Sequence, residues 1–285
     1  MLSYRHVFHA GNHADVLKHS LLLAVLDHFN KKDKPYWVID THAGAGGYRF
    51  DAGRAKEHAE YPDGVGRLWE RTDLPPLFAN YIAAVRTDNP DGQLRRYPGS
   101  PLLTLRALRP ADRLRLFELH PADVRLLGEV MANAAPDAQK RVAIKQEDGF
   151  TGLKALLPPP PRRGLVVIDP AYEDKRDYAR VIDALKDGLQ RFPTGTFFVW
   201  YPQLQKNESI QLPTKLKKLA PNWLNATLTV KAPSNDGFGM HGSGIFIINP
   251  PWTLEQEVRA ALPWLVDTLA LEKVDARGTV DALSD

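Results

Sequence analysis

Tyr36-Trp37-Val38-Ile39-Asp40-Thr41-His42-Ala43-Gly44-Ala45-Gly46-Gly47 sets a short apolar run against a glycine-rich turn. An apolar run of this length, broken abruptly by glycines, reads as a buried parallel strand followed by a tight turn. Three later runs repeat the pattern. Leu114 to Glu118 ends in an acid, Val142 to Lys145 leads to Glu147-Asp148-Gly149, and Gly164-Leu165-Val166-Val167-Ile168-Asp169 is followed by Pro170. Helical spacing separates them, over roughly 100–109, 121–134 and 177–192. Strands alternating with helices predict a parallel α/β sheet.

Upstream, apolar residues from Val16 to Phe29 predict a helix over 13–31, with Asn12 as N-cap. Downstream, Thr196 to Tyr201 gives a fifth strand. Asn225 to Ala232 and Gly244 to Asn249 have no helix between them and predict an antiparallel pair. Thr253 and Gln256 suggest a capping box for a last helix interrupted at Pro263. The tail, 272–285, reads as loose. Glu118 lies 78 residues beyond Asp40, whereas in mononucleotide-binding units the ribose-holding acid follows the glycine turn by about 20. The excess implies a small helical insertion at 48–97 within one domain of 1–285, with helices near 64–71 and 76–87. It should sit on the rim of the site.

Composition narrows the chemistry. The 285 residues are 44% hydrophobic and 25% charged, and the net charge is +3 with a pI near 8.9. This is an ordinary globular balance that permits a nucleic-acid partner without demanding one. No cysteine is present, which excludes disulfides, thiolate catalysis and cysteine-based zinc sites. His9 and His13 are four apart, but no third ligand or HExxH accompanies them, so no metal is expected. The chain reads as a cytoplasmic monomer without a membrane segment.

Ligands in open α/β sheets bind outside the carboxyl ends of the strands. The strand ends supply Gly44 and Gly46, Glu118, Asp148 with Gly149, and Asp169-Pro170-Ala171-Tyr172. Glycines allow close backbone approach. Glu118 can accept two ribose hydroxyls, Asp148 can accept from an adenine amino group, and carboxylates favour a nearby sulfonium. A phosphate cofactor fits worse, because the loop lacks GxGxxG and no GKS or GKT is present. These groups point to S-adenosylmethionine.

The tetrad suggests the reaction. The lone pair of an exocyclic amine is delocalised into its ring. The Asp169 carboxylate and Pro170 carbonyl, accepting the two amino hydrogens, would localise it and orient the nitrogen. Tyr172 would offer a face for the base, which must be flipped or single-stranded. Asn249-Pro250-Pro251-Trp252 belongs to the same motif class. It ends a strand expected to be antiparallel, so it should point away from the cofactor edge.

Further stretches carry a resemblance. They are Met1-Leu2-Ser3-Tyr4-Arg5-His6-Val7-Phe8-His9-Ala10-Gly11-Asn12-His13-Ala14-Asp15-Val16-Leu17-Lys18-His19, Asp40 to Gly46, Tyr97-Pro98-Gly99-Ser100-Pro101, Glu118-Leu119-His120-Pro121, Asp148-Gly149-Phe150, Trp200-Tyr201-Pro202 and Asn249 to Trp252. Together they resemble the RlmJ family of bacterial 23S ribosomal RNA adenine-N6 methyltransferases, over nearly the whole chain. The resemblance implies a Rossmann-like S-adenosylmethionine-dependent methyltransferase sheet with a small helical insertion. It implies cofactor contacts from His19, His42, Ser100, Glu118, Asp148, Gly149 and Asp169, catalysis by Asp169, and Tyr4 near the RNA. It also implies adenine 2030 as the target. Ala171 departs from the family's Asp-Pro-Pro-Tyr, which puts loop stiffness in question. A DNA adenine methyltransferase, a protein-glutamine methyltransferase and an RNA-binding protein with impaired catalysis stay open. Arg5, Arg95, Arg96, Arg162, Arg163 and Lys175 are candidate phosphate contacts at the rim, and Lys215, Lys217 and Lys218 form a separate cluster. The glycine-rich loop Asn235 to Gly244 is expected to close over the substrate.

Overall fold

The computed structural model describes residues 8–51, 59–135 and 137–283. The apolar run after Pro35 becomes β1 (Trp37–Asp40), preceded by helix α1 (His13–Asn30), whose N-cap Asn12 accepts from the Ala14 and Asp15 N–H groups. A two-stranded ribbon, β2 (Gly47–Arg49) and β3 (Arg96–Pro98), brackets α2 (Val65–Trp69) and α3 (Pro76–Arg86). There follow α4 (Ser100–Ala107), β4 (Arg113–Phe117), α5 (Pro121–Ala134), α6 (Ala138–Arg141), β5 (Val142–Lys145), α7 (Gly149–Leu153) and β6 (Gly164–Ile168). The chain continues with α8 (Arg176–Arg191), β7 (Thr196–Gln203), α9 (Asn207–Leu216), β8 (Trp223–Thr229), β9 (Gly242–Ile248), α10 (Leu254–Leu269) and β10 (Arg277–Leu283).

Eight strands form one sheet in the order β10-β8-β9-β7-β6-β1-β4-β5. From β7 to β5 every pairing is parallel, while β9 runs antiparallel to both β7 and β8. This is a Rossmann-like α/β fold with an antiparallel extension. Strand side chains alternate between faces, as pleating requires. Val38, Leu165, Val167, Phe198, Ile245 and Ile247 pack under α1, α3, α4 and α10, while Ile39, Val166, Ile168, Phe197, Val199 and Phe246 pack under α7, α8 and α9. The nearly apolar β6 reflects burial on both sides.

Three local expectations are corrected. Residues 277–283 are not loose but add an antiparallel edge strand to β8. Only Val280 of that strand is buried, so its sequence carries almost no apolar signal. Pro263 does not interrupt α10, which runs through it. The Thr253 side chain makes no cap hydrogen bond, so the capping box does not form.

Candidate active site at the carboxyl edge

Parallel pairing gathers the strand-end acids. Asp40 stands level with Leu116 on β4 and Val167 on β6. Two residues further along those neighbours are Glu118 and Asp169. The turn after β1 needs glycine at two points, since Gly44 and Gly46 have φ of +62° and +77°, a region costly for side chains. Gly149 is required by packing, because a Cβ there would lie 1.9 Å from the Thr41 carbonyl oxygen. A cavity of about 650 Å³ opens at this edge, within the range that encloses a small ligand. His19, His42, Gly44, Ser100, Glu118, Asp148, Gly149, Asp169 and Pro170 all line it.

Each acid is held in place. Glu118 accepts from the Gly44 N–H at 2.8 Å and from the His120 N–H at 2.7 Å. Burial pushes the Asp40 carboxyl up to about 6, opposed by hydrogen bonds from Ser100 Oγ (2.8 Å) and the His42 N–H. Ser100 thus reaches the cavity while tied to Asp40. His42 is pushed down to about 4 by burial, and its ring meets Phe150 edge-on at 4.7 Å between centroids. His19 is buried, with Nδ1 2.8 Å from the Tyr97 hydroxyl, which pairs with the Tyr81 hydroxyl. It is both a packed residue and part of the cavity wall.

Asp148 departs from the expectation of an open acceptor. It caps α7 through the Thr151 N–H and also accepts from the Arg180 guanidinium, which lies 4.4 Å above the Phe150 ring. Burial alone would raise its carboxyl, but Arg180 and the Thr151 N–H hold it below the usual range. Arg180 therefore already occupies one oxygen of Asp148.

The tetrad contains two surprises. Asp169 Oδ2 accepts from Lys18 Nζ at 2.7 Å, and the same ammonium lies 2.8 Å from Asp15 Oδ1. Lys18 is 4% exposed. Burial would lower its pKa, but the two carboxylates raise it well above the ordinary value. Tyr172 is not a stacking face. Its φ is +54° and its side chain is buried, with the hydroxyl donating to the Trp200 carbonyl at 2.8 Å. A left-handed φ on a bulky residue is costly and is kept where surrounding packing enforces it. Tyr172 therefore pins the turn from behind, while Trp200 and Tyr48 line the cavity.

Sequence reasoning missed Lys18, Arg180 and Trp200 as site residues. Lys18 had one signal, a cation placed i,i+3 from Asp15 in an otherwise apolar helix. Tyr4 and Arg5 lie outside the described residues. Arg163 is not at the rim: its backbone carbonyl accepts from the Trp37 N–H, at the start of β1 and so at the opposite edge. Arg95 is paired with Asp91. Asn249 is also at that far edge, since Ile248 stands opposite Phe197 near the start of β7. Among the described residues, no cluster of metal-ligating side chains exists and no helix is long and apolar enough to cross a membrane.

Comparison with known proteins agrees with this architecture. The chain is 44% identical over 278 residues to ribosomal RNA large subunit methyltransferase J of Haemophilus influenzae, covering 95% of each chain. It is 44% identical over 268 residues to the Escherichia coli protein of that name, covering 93% of each. A crystal structure of a Legionella pneumophila protein superposes with a TM-score of 0.88 at 35% identity, over 97% of this chain and 99% of that one. Residues 33–280 match the family model RsmJ, described as ribosomal RNA large subunit methyltransferase D, RlmJ, and the chain belongs to that family.

Proposed function

We propose that this protein transfers the methyl group of S-adenosylmethionine to N6 of an adenine in 23S ribosomal RNA. The observation that carries the reading is the Asp169-Pro170 turn, held by Lys18 at the cavity edge that also presents Gly44, Glu118 and Asp148. The lining suits the cofactor. Carboxylates outnumber cations around the cavity, which favours a sulfonium over a phosphate. Glu118 would hold the ribose hydroxyls, and Asp148, Gly149 and His42 the adenine end. When bound, the cofactor supplies an electrophilic methyl carbon.

The chain's own contribution is orientation and polarisation. Lys18 takes Asp169 Oδ2, leaving Oδ1 to accept one N6 hydrogen, while the Pro170 carbonyl accepts the other. Both acceptors draw the nitrogen lone pair out of conjugation, and fixed acceptors cost no reorganisation at the moment of reaction. Trp200 would stack on the everted base. Because Tyr172 braces the turn through Trp200, the geometry does not depend on a proline at position 171.

The family relatives are named for ribosomal RNA, and this favours RNA over DNA or protein. Labelled cofactor should be incubated with unmodified 23S ribosomal RNA and with DNA, followed by nucleoside analysis. Labelled N6-methyladenosine from RNA alone is expected, at adenine 2030 if the resemblance extends to the target. Label in DNA, in protein or in another nucleoside overturns the reading.

A further inference from the structure

The antiparallel extension of the sheet ends in a cationic ledge beside the cavity. Gln203 on β7, Gly242 on β9, Thr229 on β8 and Arg277 on β10 stand in one row across the carboxyl edge. Three strand spacings of about 4.8 Å carry this row roughly 15 Å outward. Its inner end is the cavity wall, which Pro202 and Leu204 line on either side of Gln203. Lys231 follows β8, His241 precedes β9, and the Val230 N–H donates to the His241 carbonyl.

Lys231 and Arg277 make no ion pair among the described residues, and Arg277 is exposed. Of the basic residues singled out in the sequence, Lys217 pairs with Asp281, Lys175 with Glu208 and Arg95 with Asp91. Two nearby carboxylates are held by neutral donors and keep their charge. Glu272 accepts from the Ala232 N–H, and Asp236 accepts from Ser234 Oγ and the Phe238 N–H. Burial lowers the His241 pKa, and the Arg277 and Lys231 charges add to the effect.

An aromatic side chain stands at the tip of the same hairpin. Phe238 is 78% exposed. Two residues on, Met240 lines the cavity. The turn is braced by its own hydrogen bonds, including the Gly237 N–H to the Ser234 carbonyl at 3.0 Å. A scattered exposed apolar group needs no explanation. This one is two residues from the cavity-lining Met240, on the β8–β9 loop whose base carries Lys231.

We propose that Lys231, Arg277 and Phe238 form the seat for the single-stranded RNA flanking the target nucleotide, with the cations on phosphates and Phe238 stacked on a neighbouring base. This rests on the RNA reading above. A flat aromatic next to a few cations suits unpaired nucleotides rather than a duplex groove.

The full chain should be titrated with an unmodified 23S ribosomal RNA fragment at several salt concentrations. Lys231→Ala with Arg277→Ala should weaken binding about ten-fold and flatten the log–log salt slope by about 1.4, two single-strand phosphate contacts' worth. Phe238→Ala should weaken binding about ten-fold with the slope unchanged, and Phe238→Trp should restore it. Cofactor affinity should not move in any variant. Lys215→Ala with Lys218→Ala should leave RNA affinity unchanged. Wild-type affinity and slope in the ledge variants overturn the proposal while leaving RNA methylation standing. Ledge-dependent binding in a wild-type chain that methylates no RNA does the reverse.

Discussion

Two proline turns in this molecule look alike in sequence and sit at opposite ends of the sheet. Asp169-Pro170-Ala171-Tyr172 follows β6, and Asn249-Pro250-Pro251-Trp252 follows β9. Each contains a residue with left-handed φ, +54° at Tyr172 and +52° at Asn249. At the first turn, the side chains of Lys18 and Asp169 meet over a cavity. At the second, the Asn249 amide spends both hydrogens on the Pro193 and Gly195 carbonyls, each at 2.8 Å, and Trp252 is 84% exposed. The first turn presents its polar group to the cavity, whereas the second uses it to fasten a loop. Strand direction makes the difference, because a parallel strand delivers its carboxyl end to the shared edge and an antiparallel one removes it.

The largest effect separates the turns outright. Asp169→Ala should lower the methylation rate about 1000-fold, in line with losing a fixed electrostatic group, while calorimetry finds cofactor binding retained. Asn249→Ala should leave the rate within about two-fold yet cost about 2 kcal/mol of stability, through two orphaned carbonyls and a strained φ. Lys18→Met ranks next. It takes the ammonium away from the buried Asp15 carboxylate, which keeps the Gly11 N–H, so denaturant unfolding should show a loss of about 3–5 kcal/mol, with the rate down about 100-fold. Tyr172→Phe should be milder. Losing one hydrogen bond costs about 1 kcal/mol, and the rate should fall about ten-fold as the turn loosens.

The last effect is a pH dependence contributed by His42 at the cavity edge. His42 titrates near 4 in the folded chain because burial disfavours its charged form. A folded value below the unfolded 6.5 means the neutral ring's contribution is present above pH 6.5 and is lost as pH falls toward 4. Chemical denaturation of His42→Gln across that window should show a flatter dependence than wild type. Asn249→Ala, which carries no titrating group, should lower the whole curve in parallel.

Much of the fold was legible because buried parallel strands write themselves as apolar runs. The acids at their ends were legible because parallel strands deliver them to one edge. Rejecting Asn249 also needed only strand direction. Other features depend on contacts far apart in the chain. The Lys18–Asp169 pair links positions 151 residues apart, and in sequence Lys18 merely interrupts an apolar stripe. Arg180 meets Asp148 across α7 and α8, so Asp148 looked freer than it is. Tyr172 read as an exposed aromatic because nothing local announces a left-handed backbone that turns the ring inward. Strand β10 was read as loose because an edge strand with one buried side chain has no apolar alternation to show.

The most direct test of the account compares Asp169→Ala and Asn249→Ala in one assay, with labelled S-adenosylmethionine, unmodified 23S ribosomal RNA and nucleoside analysis. Loss of labelled N6-methyladenosine with Asp169→Ala, alongside near-normal label with Asn249→Ala, is the expected result. Retained label with Asp169→Ala, or its loss with Asn249→Ala in a chain that still folds and binds cofactor, would contradict it.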